Sequence, residues 1–181
     1  MKVFVNPGHM PKVDPGAIGV NGTKEAEIAL TVGKKVAKYL TEAGLEVQLF
    51  QNDSLEQICD EANFWGADLF LSIHFNASEN RMANGAETWY CYGSEDGEFF
   101  AKCLQEQLVE ALPVGDRGIK AAKPGVNGLY VLTNTNMPAA LAECLFLSNN
   151  VDETILFDRY HVDDMARALA RGVTDYFKGR G

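Results

Sequence analysis

The stretch DLFLSIHFNA, residues 68–77, decides the fold. Residues 69–73 form an almost unbroken apolar run instead of the apolar-polar alternation of a half-exposed strand. A run of this kind is typical of a strand that is buried on both faces, as in a parallel sheet. His74 stands where the run ends, so an imidazole is expected where this strand leaves the core.

Short strands and amphipathic helices alternate on both sides of this run. The sequence predicts further strands at residues 2–5, 46–50, 86–92, 128–132 and 139–147, and a glycine-rich, basic surface loop at residues 115–127. Three segments between these strands, and one after the last strand, have apolar residues at helical spacing. Their predicted boundaries are a cap at Thr23, a stop at Gly44, a capping box of Ser54 with Gln57, and an end at Pro113. The pattern predicts a single α/β domain, residues 1–181, with a mostly parallel sheet flanked by helices on both faces.

Length, charge and hydrophobicity narrow the class of protein. The chain has 181 residues and a net charge of −9, so it lacks the basic surface that binds nucleic-acid phosphates. No apolar run approaches the ~20 residues that cross a membrane, and the N-terminus has no secretory signal pattern. We therefore expect no nucleic-acid or membrane partner. The chain is expected to be cytoplasmic, to be a mature or excised domain, or to be released without the usual export route.

Residues that can carry chemistry stand at the ends of the predicted strands. His9 follows the first strand, His74 ends the central run, and Glu143 lies within AALAECLFLSN, residues 139–149. Glu25 lies in the first turn of the first long helix. Ligands of open parallel sheets gather beyond the carboxyl ends of the strands, so we expect these four side chains to meet on one rim.

Two histidines and one carboxylate form a known catalytic zinc set that leaves a position for water. A second carboxylate, not bound to the metal, would take a proton from the water and return it to a leaving amine. Simpler interpretations remain for each residue. His74 alone fits a hydrogen-bonded core histidine, Glu143 fits a solvent-facing residue of an edge strand, and Glu25 fits an ordinary acid at a helix N-terminus, where Glu27 is its competitor.

Other reactive residues fit catalysis less well. The third histidine, His161, lies among surface-type residues and is expected to be structural or solvated. The four cysteines form no CxxC pair, so we expect free, buried thiols. Cys144 beside Glu143 is a conceivable nucleophile, but the spacing indicates no histidine to activate it.

Together these segments resemble the zinc-dependent N-acetylmuramoyl-L-alanine amidases of the amidase_3 type, which are cell-wall hydrolases. The resemblance covers nearly the whole chain and rests on NPGHMPKVDPGAIG (6–19), NGTKEAEIAL (21–30), ADLFLSIHFNA (67–77), GAETWY (85–90), RGIK (117–120) and PAALAECLFLSN (138–149). It implies a six-stranded, mostly parallel sheet. It also implies hydrolysis of the amide that joins the lactyl group of N-acetylmuramic acid to L-alanine in peptidoglycan.

The resemblance further implies one Zn²⁺ ion with three protein ligands, His9, Glu25 and His74. The family's ligand glutamate lies five residues before a helix leucine, here Leu30, which favours Glu25 over Glu27. Glu143 matches the catalytic general acid and base. Asn76 and Asn149 are weaker candidates for contacts with the substrate.

Two departures from the family pattern concern the cleft. The first histidine is followed by MPKV where the family often has two glycines, and Ile58 stands where an arginine is common. Rival functions are a zinc amidohydrolase of another substrate, such as a peptidase or deacetylase, and an inactive wall-binding homologue. The resemblance implies peptidoglycan as partner, a monomeric catalytic domain, and action on the bacterial cell wall as a phage endolysin or as an excised or mature domain.

Overall fold

The computed structural model describes residues 1–180, and within them six strands form one sheet that six helices flank. The strands are β1 (Lys2–Pro7), β2 (Glu46–Leu49), β3 (Leu69–Asn76), β4 (Ala86–Cys91), β5 (Asp116–Ala122) and β6 (Ala139–Phe146). The helices are α1 (Glu25–Glu42), α2 (Leu55–Trp65), α3 (Glu95–Ala111), α4 (Tyr130–Thr133), α5 (Asn150–Ile155) and α6 (Arg159–Arg180).

The sheet has the strand order β2-β1-β3-β6-β4-β5. Every neighbouring pair in this order runs parallel except β6 and β4, which are antiparallel. The predicted α/β fold with a six-stranded, mostly parallel sheet is therefore confirmed. Because β1, β3 and β6 are parallel neighbours, their carboxyl ends open at the same edge of the sheet.

Helices cover the two faces of the sheet unequally. The long helices α1, α3 and α6 pack on one face, where they bury Leu71 and Ile73 of the central strand. The short helices α2 and α4 pack on the other face, against Phe70 and Leu141. β3 is thus apolar on both sides, as its sequence predicts, and the face under α2 and α4 is left partly open near the strand ends.

Two predicted segments are wrong. The predicted loop at residues 115–127 contains β5, which pairs in parallel with β4 and is tied to α3 through Gln105, whose amide donates to Asp116 Oδ1 at 2.7 Å. In the predicted strand at residues 128–132, residues 128–129 lie in no regular element and residues 130–132 belong to α4, in which Val131 and Leu132 are buried. A short apolar run does not distinguish strand from helix, and packing against α2 decided the outcome.

The helix boundaries agree with the prediction in part. Ser54 caps α2 by accepting from the Gln57 amide at 3.3 Å, but the Gln57 side chain accepts from Asn52, so only half of the capping box forms. Thr23 is not a cap, because α1 begins after Lys24 without a side-chain cap and the Thr23 amide donates to Glu153. Gly44, with φ of 85°, follows the end of α1 as expected. Within residues 1–180, no helix has the length and apolar character needed to span a bilayer.

Candidate metal centre and catalytic site

The loop after β1 carries His9 in an uncommon backbone conformation. His9 has φ of 56°, a left-handed value that is costly outside glycine and that clusters at functional sites. Its Nδ1 lies 2.6 Å from Asp14 Oδ2. An isolated antiparallel bridge between Met10 and Asp14 closes the turn and holds Asp14 in place. The contact with Asp14 fixes the ring orientation, so Nε2 faces the centre of the site.

Glu25 faces this nitrogen from the first turn of α1. Its Oε2 lies 3.1 Å from His9 Nε2 and accepts from the Ala17 amide at 2.9 Å. Its Oε1 lies 2.9 Å from His74 Nδ1 and accepts from the Phe75 amide at 3.0 Å. The side chain is only 5% exposed, so this carboxylate bridges the two imidazoles in a nearly buried position.

The approach of His74 to β1 depends on a glycine. His74 lies near the end of β3, and the Gly8 amide donates to the carbonyl of Ile73 at 2.9 Å, which places the loop directly over the His74 ring. A Cβ at Gly8 would overlap the His74 imidazole. Gly8 therefore provides the space in which the two imidazoles come to a centroid distance of 5.3 Å.

The three side chains fit a metal ion. His9, Glu25 and His74 offer one ligand atom each, and these atoms lie within 4.8 Å of one another. Two ligands of a tetrahedral Zn²⁺ at 2.0–2.1 Å are about 3.4 Å apart, a separation that small side-chain adjustments reach from here. Two nitrogens and one carboxylate oxygen are donors that zinc accepts, and three protein ligands leave a position for water.

Glu25 and His9 change each other's affinity for protons. The hydrogen bond with Glu25 raises the pKa of His9 to about 9, against the opposing effect of burial and with further help from Asp14. Burial disfavours the charge on Glu25, but contacts with His74 and His9 outweigh it and hold the pKa of this carboxyl well below its usual range. An ionised Glu25 therefore lies against a His9 that binds its proton more tightly than a free imidazole does, and a bound cation would replace that proton.

Glu143 projects beside the three side chains from β6. The register pairs Glu143 with His74 on one side and with Glu87 of β4 on the other. Its Oε2 is buried, and no described residue in 1–180 offers it a hydrogen bond. Burial raises the pKa of Glu143 to about 7, His74 opposes the rise, and the negative charges of Glu25 and Glu87 add to it. A carboxyl group of this kind can gain or release a proton near neutral pH.

A cleft of about 310 Å³ opens from the two histidines along the partly covered face of the sheet. Its walls come from α2 and α4 and include Leu55, Ile58 and Tyr130. Ile58 is 2% exposed and belongs to the apolar core under α2, so the wall is apolar where the family pattern predicts an arginine. Asp14 also lines the cleft.

The remaining predicted residues have other surroundings. Glu27 is exposed and lies 3.2 Å from Lys24, away from the histidines. Asn76 lies beyond His74 on β3 and donates to Glu87 at 3.2 Å. Both polar atoms of the Asn149 amide are engaged, since its oxygen caps α5 and its nitrogen donates to the carbonyl of Arg81. These hydrogen bonds give Asn149 a structural role, and its contact with the substrate stays a prediction.

The other reactive residues lie outside the site. His161 is half-buried near the start of α6, 3.9 Å from Asp158. All four cysteines are free, and burial raises the pKa of the Cys144 thiol far above its usual range. A buried, protonated thiol is a poor nucleophile, which disfavours covalent catalysis by Cys144.

Sequence reasoning missed a buried network next to Glu143. Glu87 accepts from Trp89 Nε1 at 3.1 Å, from Asn76 at 3.2 Å and from Arg117 Nε at 2.7 Å. The available signal was the charged Glu87 in an otherwise apolar and aromatic strand segment, since a buried carboxylate needs partners.

A nearly buried carboxylate between two imidazoles, with a separate titratable carboxyl group beside it, is suited to hydrolysis by water that a metal ion activates. Its position at the carboxyl ends of parallel strands places the chain in the class of α/β metal-dependent hydrolases. Residues 3–175 match the family described as N-acetylmuramoyl-L-alanine amidase, so the chain belongs to the amidase_3 family, whose members are zinc-dependent hydrolases.

Known proteins of this family resemble the chain over nearly its full length. It is 36% identical over 182 residues to N-acetylmuramoyl-L-alanine amidase LytC of Bacillus subtilis, which covers 97% of this chain and 35% of LytC. It is 35% identical to the endolysin of Bacillus phage SPP1, covering 96% of this chain and 65% of the endolysin. The crystal structure of an amidase from Clostridium difficile 630 superposes with a TM-score of 0.87 at 33% identity, covering 99% of this chain and 98% of that one.

Proposed function

We propose that the chain hydrolyses the amide between the lactyl group of N-acetylmuramic acid and L-alanine in peptidoglycan. One Zn²⁺ ion would be held by three side chains, His9, Glu25 and His74. Glu143 would act as general base and then as general acid. The observation that carries the proposal is the buried Oε2 of Glu143, which has no protein partner within residues 1–180 and lies beside three potential ligands.

A bound zinc ion supplies a Lewis acid that lowers the pKa of water to about 7. The chain's own residues then control the position of substrate and proton. Glu143 accepts a proton from the water as the oxygen of that water bonds to the lactyl carbonyl carbon. As the carbon–nitrogen bond breaks, Glu143 gives the proton to the nitrogen, which leaves as the amine of L-alanine while the lactyl group becomes a carboxylate.

The pKa of Glu143 suits both steps. Burial and the neighbouring carboxylates raise it to about 7, although His74 opposes the rise. A general acid and base works best when its pKa lies near the working pH, because both protonation states are then accessible. A metal ion bound at the ligands adds positive charge nearby and would lower this value.

Wider features of the function rest on the relatives. We propose that residues 1–181 act as one catalytic domain on the bacterial cell wall, because relatives named as amidases and as an endolysin align over nearly the whole chain. The domain would act as a monomer. The net charge of −9 supports the absence of a nucleic-acid partner.

The test is hydrolysis of purified cell walls and of a soluble muramyl peptide by the wild type and by Glu143→Gln, each loaded with zinc. The new amino group identifies the bond that is cut. We expect Glu143→Gln to keep its zinc and to lose roughly 10²- to 10⁴-fold in rate, while Glu46→Gln at an exposed position of β2 keeps full activity. Unchanged hydrolysis by Glu143→Gln would contradict the mechanism, and cleavage of only unrelated peptides or acetamides would favour the rival amidohydrolase.

A further inference from the structure

Four polar residues form a row across the sheet, beginning at the proposed ligands and ending at Arg117. The register pairs His74 with Glu143 and Glu143 with Glu87. Arg117 on β5 continues the row, since its Nε donates to Glu87 Oε2 at 2.7 Å. The row therefore leads from the proposed metal site across β6 and β4 to a guanidinium at the edge of the sheet.

The guanidinium of Arg117 is held in place but retains a free edge. Its Nη1 donates to the carbonyl of Asn84 at 3.4 Å, and its central carbon lies 4.8 Å from the centre of the Phe146 ring. The side chain is 37% exposed, and within residues 1–180 its Nη2 donates to no acceptor. A fixed guanidinium with one open edge is prepared to bind a carboxylate.

Glu87 keeps this guanidinium in position. Its side chain is only 6% exposed, and hydrogen bonds from Asn76, Trp89 and Arg117 occupy both of its oxygens. Because its own acceptors are used within the protein, Glu87 is a positioning residue. Fixing Arg117 in advance lowers the entropy lost when a ligand binds.

The surroundings of Arg117 are basic in a chain that is acidic overall. Residues 113–128 contain Arg117, Lys120 and Lys123 but only one acid, Asp116, although the whole chain has a net charge of −9. The Gln105 amide and the backbone amide of Gly118 both donate to Oδ1 of Asp116, which holds this carboxylate in place, and the three basic residues outnumber it. This strip is therefore complementary to a negatively charged group in the substrate.

The proposed mechanism indicates which half of the substrate passes over this strip. The group that protonates the leaving amine lies beside that amine, and Glu143 lies on the β4 side of His74. The amine half of the substrate therefore extends over β4 towards β5. Two strand spacings amount to about 10 Å. An extended peptide advances about 3.3–3.6 Å per residue, so an acidic group two or three residues beyond the amide is within reach of the guanidinium.

We propose that Arg117 binds a carboxylate on the amine half of the substrate, on the residue that follows L-alanine in the stem peptide. Arg117 then sets a preference for stem peptides that carry a free acid at this position over those that carry a carboxamide. This inference rests on the proposed amidase function and adds its substrate class.

The experiment uses two soluble muramyl peptides that differ only at the second peptide residue, which carries either a free carboxylate or a carboxamide. For the zinc-loaded wild type we expect a higher kcat/KM on the acid. Arg117→Met is expected to reduce the acid-to-amide ratio of kcat/KM roughly tenfold, mainly through KM, because a charge-assisted hydrogen bond is lost. Arg117→Lys should keep part of the preference. Arg171→Met, on the opposite face in α6, should keep the whole of it.

The outcomes separate this inference from the proposed function. An equal loss on both peptides after Arg117→Met would assign Arg117 a purely structural role and overturn the inference, as would a wild type without preference. The inference would also be overturned if the preference for the acid appeared only on cell walls that retain anionic phosphate polymers and was absent from the two soluble peptides. If the wild type binds zinc but cleaves neither peptide, the proposed function itself fails.

Discussion

Without metal, the folded protein is expected to lose stability as the pH rises from about 7 to about 9. The cause is His9, whose pKa is raised from 6.5 to about 9, first by Glu25, against burial, and further by Asp14. The folded state thus binds the His9 proton more tightly than the unfolded state does. This stabilisation is complete below pH 6.5 and is lost as the pH rises through the folded value.

The expected size follows from the same values. A change from 6.5 to about 9 corresponds to about 3 kcal/mol, and the 29% exposure of the imidazole reduces this to about 2 kcal/mol. The titration of Glu143 contributes little to the change in stability above pH 7. Its pKa is raised from 4.5 to about 7, mainly by burial, so its own contribution is largely lost by pH 7.

Urea denaturation in the presence of a chelator, at intervals from pH 6.5 to 9.5, measures the effect. The free energy of unfolding should fall by about 2 kcal/mol in the wild type and stay nearly level in His9→Gln across the same interval. Saturating zinc should abolish the fall, because the metal replaces the proton on His9. A level or rising profile for the metal-free wild type, or an equal fall in His9→Gln, would show that the His9 proton does not stabilise the fold.

Three further substitutions test the support of the site. Asp14→Asn removes the anionic partner 2.6 Å from His9 and should weaken zinc binding about 10- to 100-fold in a chelator competition assay; an unchanged affinity would speak against this support. Gly8→Ala, whose Cβ would overlap the His74 ring, should lose zinc while keeping its far-ultraviolet circular dichroism, and full zinc occupancy would contradict the steric argument. Glu153→Gln weakens three hydrogen bonds to the segment before α1 and should lower the free energy of unfolding by about 2–4 kcal/mol; a loss below about 0.5 kcal/mol would argue against it.

The sequence predicts the fold best where apolar periodicity is strong. The central run of β3 and the run of β6 each keep buried residues along both faces, so their assignment as buried strands follows from composition alone, whereas the antiparallel pairing of β6 with β4 does not. The same periodicity places His74 and Glu143 near strand ends. Their direct pairing depends on the register, which the local sequence does not encode.

Prediction fails where contacts distant in sequence decide the structure. β5 is stabilised by pairing with β4 and by Gln105, whereas its own glycine and basic residues favour a loop. The partnership of Glu87 with Arg117 joins residues 30 positions apart, and the anchoring of Thr23 by Glu153 joins residues 130 positions apart. Neither pairing leaves a local pattern, so structure is needed to find both.

Glu25 and Glu27 are hard to distinguish in the sequence but have different surroundings in the structure. Composition and helical position suit both acids equally, and only the family spacing separates them at the level of sequence. In the structure Glu25 bridges the two histidines, whereas Glu27 is 60% exposed beside Lys24. Two residues along a helix differ by about 200° in direction, which is enough to turn one acid inward and the other outward.

Zinc content, measured by elemental analysis of the purified wild type, Glu25→Gln and Glu27→Gln after equilibration with excess zinc and desalting, tests the metal centre most directly. We expect about one zinc ion per chain for the wild type and for Glu27→Gln, and almost none for Glu25→Gln. Zinc retained at full stoichiometry by Glu25→Gln, or absent from the wild type, would contradict this expectation.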